Sequence, residues 1–120
     1  MLLNLKDVVK ALTNVKLAQL DAQISDVVID SRQAVENNLF IALPGENVNG
    51  HQFVGAAFKN GAIAALVDQD LGGDFLTLDL RQQYFESTDT QLTFPLCLRV
   101  SDSLAALQTI AGYWRKKHPV

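Results

Sequence analysis

The chain has few residues that could form covalent cross-links or bind metals. Cys97 is the only cysteine among 120 residues, which excludes an intrachain disulfide and argues against a zinc site built from thiolates. The two histidines, His51 and His118, stand far apart, and no spacing of His, Asp or Glu resembles a metal-binding motif. The sequence therefore predicts no metal site.

Basic residues are too few for a protein that binds nucleic acid through charge. Ten Lys and Arg stand against thirteen Asp and Glu, a net charge of −3, whereas electrostatic binding to nucleic acid needs a basic stripe. No uninterrupted apolar run approaches the roughly 20 residues that cross a bilayer, and the N-terminus lacks the features of a secretory signal peptide. These absences predict a cytoplasmic domain with no nucleic-acid partner and no membrane insertion.

The residues that are present have the balance of an ordinary globular domain, with 48% hydrophobic and 19% charged residues. The length corresponds to one domain over residues 1–120. Apolar residues at helical spacing predict a first helix that is capped by Asn4 and buries Leu5, Val8, Val9 and Leu12. A last helix is predicted from about Asp102 to Lys117, with Ser101 or Asp102 as its cap. Its predicted buried stripe is Leu104, Leu107, Ala111 and Trp114.

Between these helices, β-branched and apolar runs predict four strands, at 24–29, 39–43, 62–67 and 96–100. A short helix at 50–60, ending at Gly61, separates the second strand from the third, and this order predicts a right-handed crossover between parallel strands. In the polar stretch 68–94 we expect a hairpin or extra strand around 75–80 and then a mobile tip. The expected fold class is α/β, a single three-layer-like domain whose small mixed or parallel sheet is flanked by helices.

The segment between the second strand and the short helix is the most informative stretch of the chain. It reads Gly45-Glu46-Asn47-Val48-Asn49-Gly50-His51-Gln52. Glycines at both ends allow close backbone approach to a ligand, and N–H groups at a helix start favour an anion such as phosphate. The spacing of the glycines mimics a P-loop, but His51 and Gln52 replace its Lys and Ser/Thr, so NTP hydrolysis is not expected here. Spacing alone also allows a loop shaped only for turning.

A second polar segment, Asp30-Ser31-Arg32, stands at the carboxyl end of the first predicted strand. A carboxylate, a hydroxyl and a guanidinium at a strand end could recognise a polar ligand. The alternative is an Asx-type turn beside a surface arginine, and the pattern alone favours that alternative. His51 is expected to form hydrogen bonds at a helix start, and Cys97 to be a small residue in or near a core. No nucleophile, base and oxyanion-stabilising group come together, so no catalytic residue is predicted.

Taken together, these segments resemble the N-terminal domain of the Mur ligases, the amide ligases of peptidoglycan synthesis. The resemblance runs through Asp30-Ser31-Arg32, Leu39-Phe40-Ile41-Ala42-Leu43, Gly45-Glu46, Asn49-Gly50-His51, Phe53-Val54, Gly61-Ala62 and Ala64-Ala65-Leu66-Val67. It resumes at Val100, Asp102, Leu104-Ala105-Ala106-Leu107 and Ala111, and so covers most of the chain except 68–94. Two stretches favour the MurF branch over the MurE branch, Ala42-Leu43-Pro44-Gly45-Glu46 and Ala111-Gly112-Tyr113-Trp114-Arg115.

The resemblance implies a domain that holds the UDP-sugar end of a UDP-MurNAc-peptide and contributes no catalytic residue. The implied substrate-binding residues are Asp30, Ser31, Arg32, Gly45, Glu46, Asn47, Asn49, Gly50 and His51. The first three would lie near the uridine, and the others against the nucleotide and diphosphate. ATP and Mg²⁺ would be bound by the full-length enzyme and not by this domain alone, whose partners would be its own central and C-terminal domains. A MurF-type enzyme activates the peptide carboxylate as an acyl phosphate, which D-alanyl-D-alanine then attacks.

The chain also departs from the family pattern. Glu36-Asn37-Asn38 replaces the usual Pro-Gly-Asp, Asn49 replaces an Asp, and the stretch 68–94 is longer. The glycine-rich ATP loop of the family would begin where this chain stops, at Val120, so we expect an excised domain or a natural fragment that makes no amide bond alone. Three alternatives remain: a MurE-type ligase that adds a diamino acid or lysine to UDP-MurNAc-dipeptide, a non-catalytic binding module that reuses this fold, and an interaction domain without a small ligand.

Overall fold

A five-stranded parallel sheet forms the centre of the protein in the computed structural model, which describes residues 3–14, 20–44, 50–73, 75–81 and 93–117. The strands are β1 (Leu3–Asn4), β2 (Gln23–Ile24), β3 (Asp26–Val28), β4 (Asn38–Ile41), β5 (Ala64–Val67), β6 (Thr77–Asp79) and β7 (Leu96–Arg99). The helices are α1 (Leu5–Thr13), α2 (Val54–Lys59) and α3 (Ser103–Lys117), with short 3₁₀-helices at Ser31–Gln33 and Gly50–Phe53. The described residues thus combine strands and helices in the manner of an α/β domain.

The main sheet has the strand order β3-β4-β5-β7-β6, and all neighbouring strands in it are parallel. β1 and β2 form a separate antiparallel pair. Helix α2 connects β4 with its parallel neighbour β5, which confirms the predicted crossover connection between parallel strands. The five strands of the main sheet therefore all end at the same edge.

Two hydrophobic cores lie on opposite faces of the sheet. Leu39 and Leu66 belong to the core under α1 and α3, whereas Phe40 and Ala65 belong to the core under α2. This division follows from the strand itself, because successive side chains point to opposite faces. The result is three layers, helices on both sides of one sheet, which confirms the predicted α/β class.

The predicted strand at 24–29 is divided into β2 and β3 at Ser25. The Ser25 N–H donates to the carbonyl of Asn37 at 2.9 Å, and its hydroxyl donates to the carbonyl of Glu36 at 2.9 Å. Asn38 Nδ2 in turn donates to the Ser25 hydroxyl at 2.9 Å. Ser25 therefore bonds to the turn at 36–38, and the residues on its two sides join different sheets.

The buried stripe of α3 differs from the predicted one. Leu104 is 50% exposed, whereas Ser103, Ala106 and Ile110 are buried. Leu107 is only partly buried against the core. At the first turn of α3, Asp102 Oδ1 accepts a hydrogen bond from the Ala105 N–H at 3.1 Å, which confirms Asp102 as the cap. The inward face of α3 is shown by Ala106 and Ile110, which belong to the core against the sheet.

The predicted helix at 50–60 and the predicted extra strand around 75–80 are both present, with differences in form. The predicted helix at 50–60 is the 3₁₀-helix Gly50–Phe53 followed by α2, and Gly61 ends it with a φ of 117°. The extra strand expected around 75–80 is β6, a parallel edge strand beside β7 and not part of a hairpin among the described residues. The predicted mobile tip falls largely in 82–92, outside the described residues. In the described part of the chain, every helix is too short or too polar to cross a membrane.

Candidate ligand-binding edge of the sheet

Polar residues of three segments gather at the edge where the parallel strands end. The Asp30–Arg32 segment follows β3, the segment leading to Gly50 and His51 follows β4, and Asp68 follows β5. Ligands of parallel α/β sheets commonly bind outside these carboxyl ends, because the loops there carry polar groups above a rigid support. Asp30–Arg32 and the described end of the second segment, Gly50 and His51, therefore lie after adjacent strands at the edge where a ligand is expected.

Asp30 and Arg32 form a hydrogen-bonded ion pair between residues two positions apart, which we call an Asp-x-Arg clasp. Asp30 Oδ1 accepts hydrogen bonds from the Arg32 backbone N–H at 2.9 Å and from Arg32 Nε at 3.1 Å, and Oδ2 accepts from Nη2 at 2.9 Å. These bonds to Arg32 hold the pKa of the Asp30 carboxyl below its ordinary value. The Arg32 side chain is nonetheless 87% exposed, so its remaining N–H groups are accessible to a ligand.

Ser31 connects the turn after β3 to the end of α2. It is buried, and its backbone carbonyl accepts a hydrogen bond from Asn60 Nδ2 at 3.0 Å. Because Asn60 is the residue that ends α2, this bond fixes the turn after β3 to the C-terminal end of that helix. Ser31 thus ties one candidate segment to the helix that follows the other.

Gly50 closes the second segment against the end of β4. Its N–H donates to the Leu43 carbonyl at 2.9 Å. A Cβ atom at position 50 would lie 2.8 Å from the Leu43 nitrogen and 2.9 Å from its oxygen, which is closer than real Cβ atoms come. The close approach that glycine permits here is therefore to the chain's own backbone. Four predicted site residues lie outside the described residues: Gly45, Glu46, Asn47 and Asn49.

His51 is buried against Asp68. Its side chain is only 2% exposed, and its Nε2 accepts a hydrogen bond from the Asp68 backbone N–H at 3.0 Å. Asp68 Oδ1 lies 3.1 Å from the same nitrogen. Nε2 cannot accept and donate at once, and since the amide proton points at it, we assign the neutral tautomer protonated on Nδ1. Burial lowers the pKa of His51 below its ordinary 6.5, and the Asp68 carboxylate opposes that shift.

Asp68 also caps α3 from a distant part of the chain. Its Oδ2 accepts a hydrogen bond from the Ser103 N–H at 3.0 Å. The chain leaves β5 on the α2 side, where Leu71 and Phe75 pack, and leaves β7 on the other side, where α3 packs. Such divergence opens a crevice between neighbouring strands, the usual anion seat of open α/β sheets. Here the Asp68 carboxylate spans that crevice.

Sequence reasoning missed Asp68 because its role depends on a partner 35 residues away. The only local signal was an aspartate directly after a buried strand.

Sequence reasoning also missed a second Asp-x-Arg clasp at the far edge of the sheet. There, Asp79 accepts hydrogen bonds from Arg81 Nε at 2.9 Å and from Arg81 Nη2 at 2.8 Å. Arg81 holds the pKa of Asp79 at about 2, with a smaller contribution from Arg99. Among the described residues, the buried Nε of Arg99 has no hydrogen-bond partner.

The described residues offer no reactive nucleophile and no metal cluster. Cys97 is fully buried in the core under α2, and burial raises the pKa of its thiol to about 11. The described part of the chain holds no group of three or more His, Cys, Asp or Glu side chains that could bind a metal ion.

Comparison with known proteins identifies the family of this domain. The profile of the family described as "Mur ligase family, catalytic domain" matches residues 23–74, the part that contains both candidate segments. A UDP-N-acetylmuramoyl-tripeptide–D-alanyl-D-alanine ligase from Treponema pallidum is 38% identical over 95 residues, which are 78% of this chain and 18% of that protein. The chain carries a Mur ligase family domain.

Further similarities fall in two branches of the family. A UDP-N-acetylmuramoyl-L-alanyl-D-glutamate–2,6-diaminopimelate ligase from Haemophilus influenzae is 33% identical over 58% of this chain and 14% of its own length. A crystal structure of MurF from Acinetobacter baumannii has the same fold, with a TM-score of 0.61 and 22% identity over 95% of this chain and 21% of that one. The matches thus span between about a seventh and a fifth of the length of these proteins.

Proposed function

We propose that this chain is the UDP-sugar-binding domain of a MurF-like ligase. In the full-length enzyme it would hold UDP-MurNAc-tripeptide while ATP activates the peptide carboxylate for attack by D-alanyl-D-alanine. The observation that carries the proposal is the placement of Asp30–Arg32 and Gly50–His51 after the adjacent parallel strands β3 and β4. Polar residues that follow two adjacent strands at this edge are what a site for a nucleotide and its diphosphate requires.

Each group has a role that follows from its chemistry. Arg32, exposed and held in orientation by Asp30, would donate hydrogen bonds to the uridine end of the ligand. The segment Gly45–His51, with Glu46, Asn47 and Asn49, would follow the diphosphate. ATP and Mg²⁺ would belong to the central domain of the full-length cytoplasmic enzyme, and the chemistry would take place between that domain and the C-terminal one.

A MurE-type ligase is the second candidate, because several relatives are named as diaminopimelate ligases. Such an enzyme would take UDP-MurNAc-dipeptide in place of the tripeptide. A non-catalytic binding module would bind the same nucleotide-sugar but belong to no ligase. The peptide length that the full-length protein prefers separates the two ligases.

The first experiment is an NMR titration of this chain with UDP-MurNAc-tripeptide, with UMP as the control ligand. We expect the amide signals of residues 30–32 and 50–51 to shift with the whole ligand, because both segments would contact it. Shifts confined to other surfaces, or none at millimolar ligand, would contradict the proposal. Repeating the titration on full-length protein with dipeptide and tripeptide ligands then distinguishes the MurE and MurF types.

Arg32→Gln tests the site at one residue, with Arg81→Gln as the matched control. Both arginines form the same clasp with an aspartate two residues earlier, but Arg81 follows β6 at the opposite edge of the sheet. We expect Arg32→Gln to weaken binding by about tenfold, the usual loss when a charged hydrogen-bond donor is removed. Arg81→Gln should leave the dissociation constant unchanged. Equal losses in the two variants would contradict a role specific to Arg32.

A further inference from the structure

We propose that Asp68 is a positioning residue that holds Gly50 and His51 in a fixed place relative to α3. The inference rests on the proposed function, because it treats Gly50–His51 as one wall of the UDP-sugar site. Asp68 itself need not touch the ligand. Its effect would pass through the backbone and the His51 ring.

Asp68 joins two parts of the edge, the first turn of α3 and His51. Its carboxylate accepts from the first N–H of α3 at 3.0 Å, and its own N–H donates to His51 Nε2 at 3.0 Å. The side chain therefore holds residue 68 to α3, and the backbone of residue 68 holds His51. Both bonds are largely shielded from water, since the Asp68 and His51 side chains are 12% and 2% exposed, and shielding strengthens them.

The neighbouring Gly50 transmits any movement of His51. It lies in van der Waals contact with the exit of β4, where its N–H is bonded to the Leu43 carbonyl at 2.9 Å. A shift of His51 would therefore disturb the closure between Leu43 and Gly50. That closure sets where the candidate loop after β4 begins and ends.

The same carboxylate explains why the ligand would lie over β3 and β4. The crevice between β5 and β7 would otherwise offer the free N–H groups of α3 to an external anion. The Asp68 carboxylate already accepts from the first of these N–H groups and so takes the place of an external anion. An incoming diphosphate would be repelled there by this negative charge, which leaves the edge over β3 and β4 for the ligand.

Three variants test the inference: Asp68→Ala, Asp68→Asn and the matched control Asp102→Ala. Asp102 also caps α3, through its bond to the Ala105 N–H, but it follows β7, whereas Asp68 follows β5. The readouts are hydrogen exchange of the Gly50 amide and the dissociation constant for UDP-MurNAc-tripeptide. We expect Asp68→Ala to accelerate Gly50 exchange and to weaken binding, each by about tenfold. Asp68→Asn, which keeps an acceptor for Ser103, should restore both in part.

The control decides between positioning and simple helix capping. If Asp102→Ala accelerates Gly50 exchange as much as Asp68→Ala does, the effect comes from α3 stability and the inference is overturned. Unchanged Gly50 exchange in Asp68→Ala overturns it as well. If the unaltered protein binds no ligand, the proposed function fails, while Gly50 exchange still decides whether Asp68 holds this segment.

Discussion

At the scale of single residues, the same Asp-x-Arg clasp occurs at both edges of the sheet. Asp30 and Asp79 each accept hydrogen bonds from the backbone and the guanidinium of the arginine two positions later. The clasp therefore follows from this short sequence after a strand, as the Asx-type interpretation expected. Arg32 differs in place and exposure, since its side chain is 87% exposed against 41% for Arg81. Its proposed role depends on its position beside β4.

His51 predicts a pH dependence of folding stability. Since burial lowers its pKa in the folded protein below 6.5, the unfolded chain takes up the proton first as the pH falls. The stability that neutral His51 contributes is complete above pH 6.5 and is lost as the pH falls through its folded pKa. We expect the free energy of unfolding to drop by up to about 1.4 kcal/mol per pH unit between pH 6.5 and the folded pKa of His51.

Urea unfolding between about pH 7.5 and 5.5 would measure this loss, with His51→Gln as the comparison. The variant should show a flatter profile over this interval, although its stability is lower throughout. The paired aspartates do not interfere, because the pKa of Asp79 is about 2 and its effect falls below pH 3.8. Parallel profiles for the two proteins would show that His51 is not the titrating group.

At the scale of elements, the short loops are held by backbone contacts that only glycine allows. Gly50 meets Leu43 at the exit of β4, and Gly61 meets the backbone of Glu36, where a Cβ would lie 2.8 Å from the Glu36 nitrogen. The Gly61 carbonyl also accepts from the Asn37 N–H at 3.0 Å. These contacts fix the connections on both sides of α2 and thereby place the candidate segments.

Gly50→Ala should destabilise the fold by about 1–3 kcal/mol, the usual cost of forcing an atom into a packed site. Gly112→Ala is the matched control, because a Cβ there would meet nothing within 4 Å and position 112 lies inside α3. It should stabilise the protein by up to about 1 kcal/mol through helix propensity. Thermal unfolding of both variants checks the pair, and a neutral Gly50→Ala would refute the close approach to Leu43.

At the scale of the whole molecule, the sheet carries helices on both faces, and the orientation of α3 decides what the outer layer buries. Ile110 is 3% exposed and belongs to the core with Leu39 and Leu66, whereas Leu104 is 50% exposed. Local helical spacing allowed both residues to face inward. Packing against the sheet decides between them, since Ile110 belongs to the core cluster and Leu104 does not.

Ile110→Ala and Leu104→Ala measure this orientation. Ile110→Ala should cost about 2–5 kcal/mol, because it removes buried groups and leaves a cavity. Leu104→Ala should change stability by no more than about 0.5 kcal/mol, as expected for an exposed position. Chemical denaturation gives both values. The reverse order of the two costs would mean that α3 is rotated towards the stripe predicted from the sequence.

Local patterns were sufficient for most elements of the fold. The α1 helix begins after Asn4 as predicted, because its side chain accepts from the Lys6 N–H at 2.9 Å. The buried strands β4 and β5 follow from apolar runs, and the parallel pairing follows from the intervening helix. Positions 45–49 and 82–92 lie outside the described residues, so the site predictions for Gly45, Glu46, Asn47 and Asn49 stay predictions.

The sequence by itself determined the α/β class, the α1 helix, most strands and the two candidate segments, because caps, apolar periodicity and turn residues act over a few positions. Only the tertiary structure decided the division at Ser25, the inward face of α3 and the role of Asp68. The face of α3 depends on its packing against the core. The other two depend on hydrogen bonds between residues distant in sequence, Ser25 with Asn37 and Asp68 with Ser103. Such bonds form only after the strands have paired, and no local pattern encodes them.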